Sequence, residues 1–130
     1  MIIDSSALVS LVREEPDQDR LLDALAGVAG GILISAASYL ETAIVIDLND
    51  STLLSQRLDT TIDFWQIELV PVTVSQVRLA RETHRRFGKG RHPAKLSFTD
   101  CFAYALAKET GRPLLFKGDD FARTDITPAA

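Results

Sequence analysis

The chain has 130 residues, 46% of them hydrophobic and 25% charged, with one cysteine and a formal net charge of −4. These values describe one folded domain with a substantial core and exclude a disordered, collagen-like or low-complexity chain and a disulfide scaffold. No apolar run approaches the ~18 residues that span a bilayer, and the opening MIIDSSALVS carries no basic segment and an acid at position 4, so neither membrane insertion nor a secretory signal is expected and the expected compartment is the cytoplasm.

Residues 1–4 read as a short buried strand ending in an acid, followed by a helix with a serine, Ser5 or Ser6, as N-cap and continuing to Arg13. Pro16 suits the first turn of a second helix that runs to about Leu25 and stops at Gly27. After Gly30-Gly31, residues 32–34 form a second strand, too short and too apolar for an amphipathic helix. Residues 38–49 are expected to be helical, and about 51–65 form another helix with apolar residues at 53, 54, 58, 62 and 65. Residues 67–72 hold a third strand closed by Pro71, and residues 75–87 a helix. Residues 88–95, with two glycines and Pro93, are a loop. Residues 97–110 are helical, with Gly111 placed to end them, and residues 113–116 are a fourth strand. Short apolar strands alternating with helices predict βαβ units and a parallel sheet covered on both faces, in one domain over residues 1–130 without a repeat or linker.

The overall acidity alone argues against a nucleic-acid partner, but the charge is unevenly spread. Residues 1–68 hold 12 acids and 3 bases, whereas residues 78–95 hold Arg78, Arg81, Arg85, Arg86, Lys89, Arg91 and Lys95 against Glu82 alone. Arg78, Arg81 and Arg85 recur at helical spacing as a stripe, and the bases continue through the loop that leads to Asp100. Such a basic segment suits a phosphate backbone.

Open α/β sheets build their sites at the carboxyl ends of the strands. Acids stand at four such places: Asp4 at the end of the first strand, Glu41 after the second, Asp100 at the start of the helix following the basic loop, and Asp119 and Asp120 after the last strand. Carboxylates beside apolar neighbours are costly to ionise and repel one another, and a divalent cation reverses that cost. Magnesium, a hard oxygen-seeking ion, takes one or two carboxylates plus waters and phosphates and can activate a water for attack on a phosphodiester. The competing reading is structural. Ser38 with Glu41, and Ser97 with Asp100, have capping-box spacing, and Asp4 alone could cap a helix. Ser5, Ser6 and Thr99 flank the acids and could orient ligands or water, or serve as caps; Lys117 could meet a phosphate or pair with the acids. A Ser-His-Asp triad, a zinc site and a Walker loop do not fit the two histidines, the single cysteine and Gly88-Lys89-Gly90; Cys101 reads as core.

MIIDSSALVSLVREEP, SAASYLETAIVI and GKGRHPAKLSFTDCFAYALAKETGRPLLFKGDDFARTDI together resemble PIN-domain ribonucleases of the VapC toxin type, in the right order over nearly the whole chain; the opening and the closing third are specific, and about residues 50–74 are not. The resemblance implies a three-layer α/β/α sandwich with a short, mainly parallel sheet and a magnesium-dependent endoribonuclease, with manganese as a substitute. It also implies a cognate VapB-like antitoxin, homodimers, toxin–antitoxin hetero-oligomers, and operator DNA bound only through the antitoxin. Asp4, Glu41 and Asp100 match the family's first three acids. For the fourth, the turn Lys117-Gly118-Asp119-Asp120-Phe121 favours Asp119, with Asp120 as rival and Asp125 as a further possibility. On this reading Asp4 and Asp100 are the principal metal ligands, Glu41 and Asp119 or Asp120 complete the pocket, and Arg85, Arg86, Lys89, Arg91, Lys95 and Lys117 hold RNA. Apolar residues around Leu21-Leu22 and Leu53-Leu54 are candidate antitoxin or dimer contacts. The rival functions are a non-catalytic binding module and a phosphodiesterase acting on DNA.

Overall fold

The computed structural model describes residues 1–48 and 51–130. Its elements are β1 (Ile2–Ile3), α1 (Ser5–Val12), α2 (Gln18–Ala26), β2 (Leu33–Ser35), α3 (Ala36–Asp47), α4 (Thr52–Phe64), β3 (Glu68–Val70), α5 (Val74–Phe87), α6 (Asp100–Thr110) and β4 (Leu114–Leu115), followed by a single 3-10 turn at Phe121–Arg123. The helix expected to reach Asn49 is observed to Asp47, and Asn49 lies outside the described residues.

The four strands lie in the order β3-β2-β1-β4, and every pairing is parallel. Ile2 faces Leu33 on one neighbour and Leu114 on the other, while Ile3 faces Leu115. The two-residue period of a strand then divides the core. Ile2 and Leu114 pack with the buried residues of α5 and α6 on one face. Ile3, Ile34 and Leu115 pack with those of α1 to α4 on the other. The result is a three-layer α/β/α sandwich, and the near-continuous apolar strands follow from burial on both faces.

Local physics sets the helix ends. Ser51 caps α4 by accepting from the Leu54 N–H at 3.2 Å, and Thr73 caps α5 through the Gln76 N–H at 3.1 Å. Gly111 ends α6 at φ +68°, a left-handed conformation that glycine adopts without steric cost. α6 is buried nearly all round, with Cys101, Ala103, Tyr104, Ala105, Leu106 and Ala107 inaccessible. The Cys101 thiol is core as expected, and burial pushes it up to about 11.

Several expectations change. The N-cap of α1 is Asp4 rather than a serine. Pro16 precedes α2 instead of sitting in its first turn, because Asp17 still stands between them. α3 begins two residues early, capped by Ser35 through the Ala37 N–H at 3.3 Å. Glu41 therefore sits in the second turn of α3, and Ser38, buried inside the helix, forms no capping box with it. Leu21 is fully buried in the core and offers no partner surface, whereas Leu53 is exposed. Leu40 and Ile44 on α3, with Leu48 just past its end, form an apolar stripe that reaches solvent.

The basic loop is closed at its base by Lys89 N–H to the Leu96 carbonyl and Leu96 N–H to the Phe87 carbonyl, both 3.0 Å. Gly88 makes this closure possible. A β-carbon there would stand 2.4 Å from the His84 carbonyl oxygen and 2.6 Å from its ring. Gly88→Ala is expected to destabilise the fold by about 2 kcal/mol or more, the scale of forced overpacking, read as a fall in the urea midpoint. An unchanged midpoint would show that His84 moves aside freely.

A candidate acidic metal site at the strand ends

β1 and β4 run side by side, and the Asp4 N–H donates to the Leu115 carbonyl at 2.9 Å. That bond carries Asp4 to the carboxyl edge of the sheet, where α1 begins. One carboxylate oxygen, Oδ2, caps α1 by accepting from the Ser6 N–H at 3.0 Å and the Ser6 hydroxyl at 2.6 Å. The Ser6 hydroxyl also accepts from the Lys117 N–H at 3.0 Å, tying the acid to the segment after β4. The other oxygen, Oδ1, is buried and has no hydrogen-bond partner, on a residue only 1% exposed. Capping thus accounts for half of this carboxylate.

The electrostatics reflect the unpartnered half. Burial pushes the Asp4 carboxyl up to about 7, with the charge of Asp100 next in importance and that of Glu41 smaller; the Ser6 bonds offset this only in part. Asp100 is also raised, first by burial and then by the charges of Glu41 and Asp120, against hydrogen bonds from Ser97. Those bonds are reciprocal: Ser97 N–H to Asp100 Oδ2 at 2.8 Å and Asp100 N–H to Ser97 Oγ at 3.2 Å. The capping box expected at Ser97 and Asp100 forms, and it engages one of the two carboxylate oxygens.

Glu41 joins three elements. Its Oε1 accepts from the Ser5 hydroxyl at the start of α1, and its Oε2 from the Thr99 hydroxyl just before α6. The hydroxyls flanking the acids in sequence therefore orient acids: Ser6 holds Asp4, while Ser5 and Thr99 hold Glu41. From the turn after β4, the charge of Asp120 adds the smallest of the influences on Asp100; Asp119 and Asp120 are both exposed on that turn. Asp125 is engaged elsewhere, accepting from the Tyr104 hydroxyl at 2.5 Å and pairing with Lys108 at 3.2 Å and Arg86 at 3.7 Å. It is not a fourth member of the cluster.

The donor set suits a hard cation. It offers only carboxylate and hydroxyl oxygens, and the buried bare Oδ1 of Asp4 lacks a positive partner. Among the described residues, no three His, Cys, Asp or Glu side chains stand close enough to enclose an ion by themselves. Two carboxylates with the remaining positions left to water or substrate phosphate is the manner in which magnesium is bound.

The basic residues divide. Lys89, Arg91 and Lys95 are exposed on the loop and, among the described residues, make no ion pair. Arg85 pairs with Glu82 at 3.7 Å, and Arg86 lies 4.7 Å from the centre of the Phe87 ring as well as on Asp125. Lys117 does not pair with the acidic cluster. Its ammonium meets Glu15 at 3.4 Å and Asp17 at 3.5 Å, acids of the α1–α2 connection that no sequence spacing linked to it. A cleft of about 320 Å³ lined by Ser5, Ser6, Glu15, Glu41 and Lys117 opens beside the cluster. Phe98, 74% exposed and next to Thr99, is a neighbour of the site that the sequence reading passed over; its signal is an aromatic residue directly before the Thr99-Asp100 pair.

The PIN domain family model matches residues 1–126. In sequence the chain is similar to ribonuclease VapC30 of Mycobacterium tuberculosis, 45% identical over 130 residues that span 100% of this chain and 98% of that one. In structure it is similar to Mycobacterium tuberculosis VapC20, a Sarcin-Ricin loop cleaving toxin, with a TM-score of 0.75 and 15% identity over 97% of this chain and 95% of that one. A toxin-antitoxin complex from Klebsiella pneumoniae matches with a TM-score of 0.72 and 15% identity over 95% of this chain and 92% of its own. At such identities the two structures show a shared fold.

Proposed function

Because the chain belongs to the PIN-domain family, we propose that residues 1–130 act as one domain, an endoribonuclease that is the toxin of a toxin–antitoxin pair. The observation that carries this reading is the buried, half-unpartnered carboxylate of Asp4, raised by Asp100 and Glu41, at the strand ends. The name of the similar mycobacterial ribonuclease supports it.

Asp4 and Asp100 would hold the metal, magnesium first and manganese as its substitute. When bound there, a divalent cation polarises a phosphoryl oxygen and lowers the pKa of a water. The protein's own residues supply the rest. Glu41, its oxygens fixed by Ser5 and Thr99, accepts a hydrogen bond from the attacking water on a remaining lone pair. As the fourth carboxylate we assign Asp120 over Asp119, because its charge acts on Asp100. Lys89, Arg91 and Lys95 hold backbone phosphates, with Arg85 beside them; Arg86 and Lys117 contribute less, since each is engaged in ion pairs.

A non-catalytic module is the second reading, and the caps made by Asp4 and Asp100 favour it. It accounts for Glu41 as a tie between α1, α3 and the start of α6, and it leaves the bare Oδ1 of Asp4 without a purpose. A phosphodiesterase acting on DNA would be distinguished by DNA outcompeting RNA. The exposed stripe of Leu40, Ile44 and Leu48 suits the partners of such a toxin: a VapB-like antitoxin, a second copy in a homodimer, and hetero-oligomers that reach operator DNA through the antitoxin. No helix among the described residues is long and apolar enough to cross a membrane; the compartment that the RNA-cleaving reading expects is the cytoplasm.

The test is mapping of new RNA 5′ ends after brief induction of the wild type and of Asp100→Asn. New ends at defined sites are expected with the wild type and not with the variant. The same ends at equal frequency in both would remove Asp100 from the chemistry.

A further inference from the structure

We propose that Phe98 is a stacking platform for an unpaired RNA base beside the cleaved phosphate, with the groove between α5 and the start of α6 as that base's seat. This rests on the RNA-cleaving reading above. Phe98 is large, apolar and 74% exposed; one side of it lines the groove beside α5, and the other lines a groove with Leu40 and Ile44 of α3. It precedes Thr99, whose hydroxyl holds Glu41, and stands two residues before Asp100. A strand whose phosphate reaches the acids therefore passes this ring. Phe102 braces Phe98 edge to face, with centroids 5.2 Å apart at 81°.

The groove beside the ring measures about 320 Å³, with Val77, Ala80, Cys101 and Phe102 as its apolar lining and Arg81 and His84 among its walls. A nucleobase is apolar on its faces and carries a phosphate on either side. Its complement is an aromatic or apolar floor with cations at the margin. Charge favours a polyanion as the occupant. Arg81 stands in the groove wall, Arg78 and Arg85 lie on the same helix, and the single intervening acid, Glu82, is already paired with Arg85 at 3.7 Å.

The test measures binding of single-stranded oligoribonucleotides by anisotropy in EDTA, so that affinity is read apart from cleavage. Base-on-aromatic stacking predicts that Phe98→Ala weakens binding by about 5- to 100-fold and that Phe98→Trp restores it. Abasic substitution, moved along the oligonucleotide, is expected to cost the wild type the same factor at one position and to cost Phe98→Ala almost nothing there. In magnesium, the Phe98→Ala loss is expected in KM, with kcat within about threefold. Equal abasic penalties in wild type and variant at every position overturn the proposal. A mass that halves in Phe98→Ala, with oligonucleotide affinity unchanged, also overturns it and gives the groove to a second copy. If the wild type binds with this abasic signature but cuts nothing, stacking stands and the nuclease reading fails.

Discussion

Replacing Asp4 by asparagine is expected to lower RNA cleavage at least about a hundredfold, since even partners of metal ligands cost 10- to 100-fold when lost, while making the metal-free protein more stable at pH 8. The second effect follows from the sign of the pKa shift. Asp4 rises from an ordinary 3.8 to about 7 in the folded protein, chiefly by burial. A carboxyl shifted upward stabilises the fold fully below 3.8, and that contribution is lost as the pH rises through about 7. Above that pH the folded protein carries a buried charge worth up to about 4 kcal/mol of lost stability. Asparagine has no charge to bury and is an equally good N-cap. The difference in urea midpoint between Asp4→Asn and wild type in EDTA should therefore be small near pH 4, grow through pH 5 to 7, and level off above. Purified Asp4→Asn that cleaves RNA at the wild-type rate would remove Asp4 from catalysis. A stability difference that does not change with pH would remove the strain.

Magnesium is expected to raise the melting temperature of the wild type by about 5–10 °C when present at ~100 times its dissociation constant, and to do nothing for Asp100→Asn. The rise should be larger at pH 8 than at pH 6. Below about 7 the Asp4 carboxyl is largely protonated, so the cation must displace a proton to bind. Thermal scans in EDTA, magnesium and calcium at both pH values check this. An equal rise in wild type and Asp100→Asn would mean that the ion sits elsewhere.

Much of the architecture was legible because it depends on local rules. Apolar triplets between helical stretches mark strands buried on both faces, and Gly27 and Gly111 end helices where glycine commonly does. The misses share a cause. Ser35 and Ser38 are both good caps, and only the backbone decides between them; choosing Ser38 placed Glu41 in a first turn and gave it a capping role that it lacks. Of the site, Asp4 and Asp100 could be read from acids that stand at element ends beside apolar runs. What could not be read were pairings between distant segments: Ser5 and Thr99 on Glu41, and Lys117 on Glu15 and Asp17. Such contacts arise from the chain crossing itself, and no spacing along it encodes them. Asp119 and Asp120 differ by one position, so the sequence ranked them by motif; the proposal of Asp120 rests on its small influence on Asp100.

The bond from the Asp4 N–H to the Leu115 carbonyl also concerns timing. β1 lies inside the sheet and is completed by β4, which is made after it. The Ser6 hydroxyl that orients Asp4 waits for the Lys117 N–H in the same way. A ribosome partway through the message thus carries Asp4 and Glu41 without the strand that aligns them. The acidic edge is therefore completed only after β4 has been made and has paired with β1.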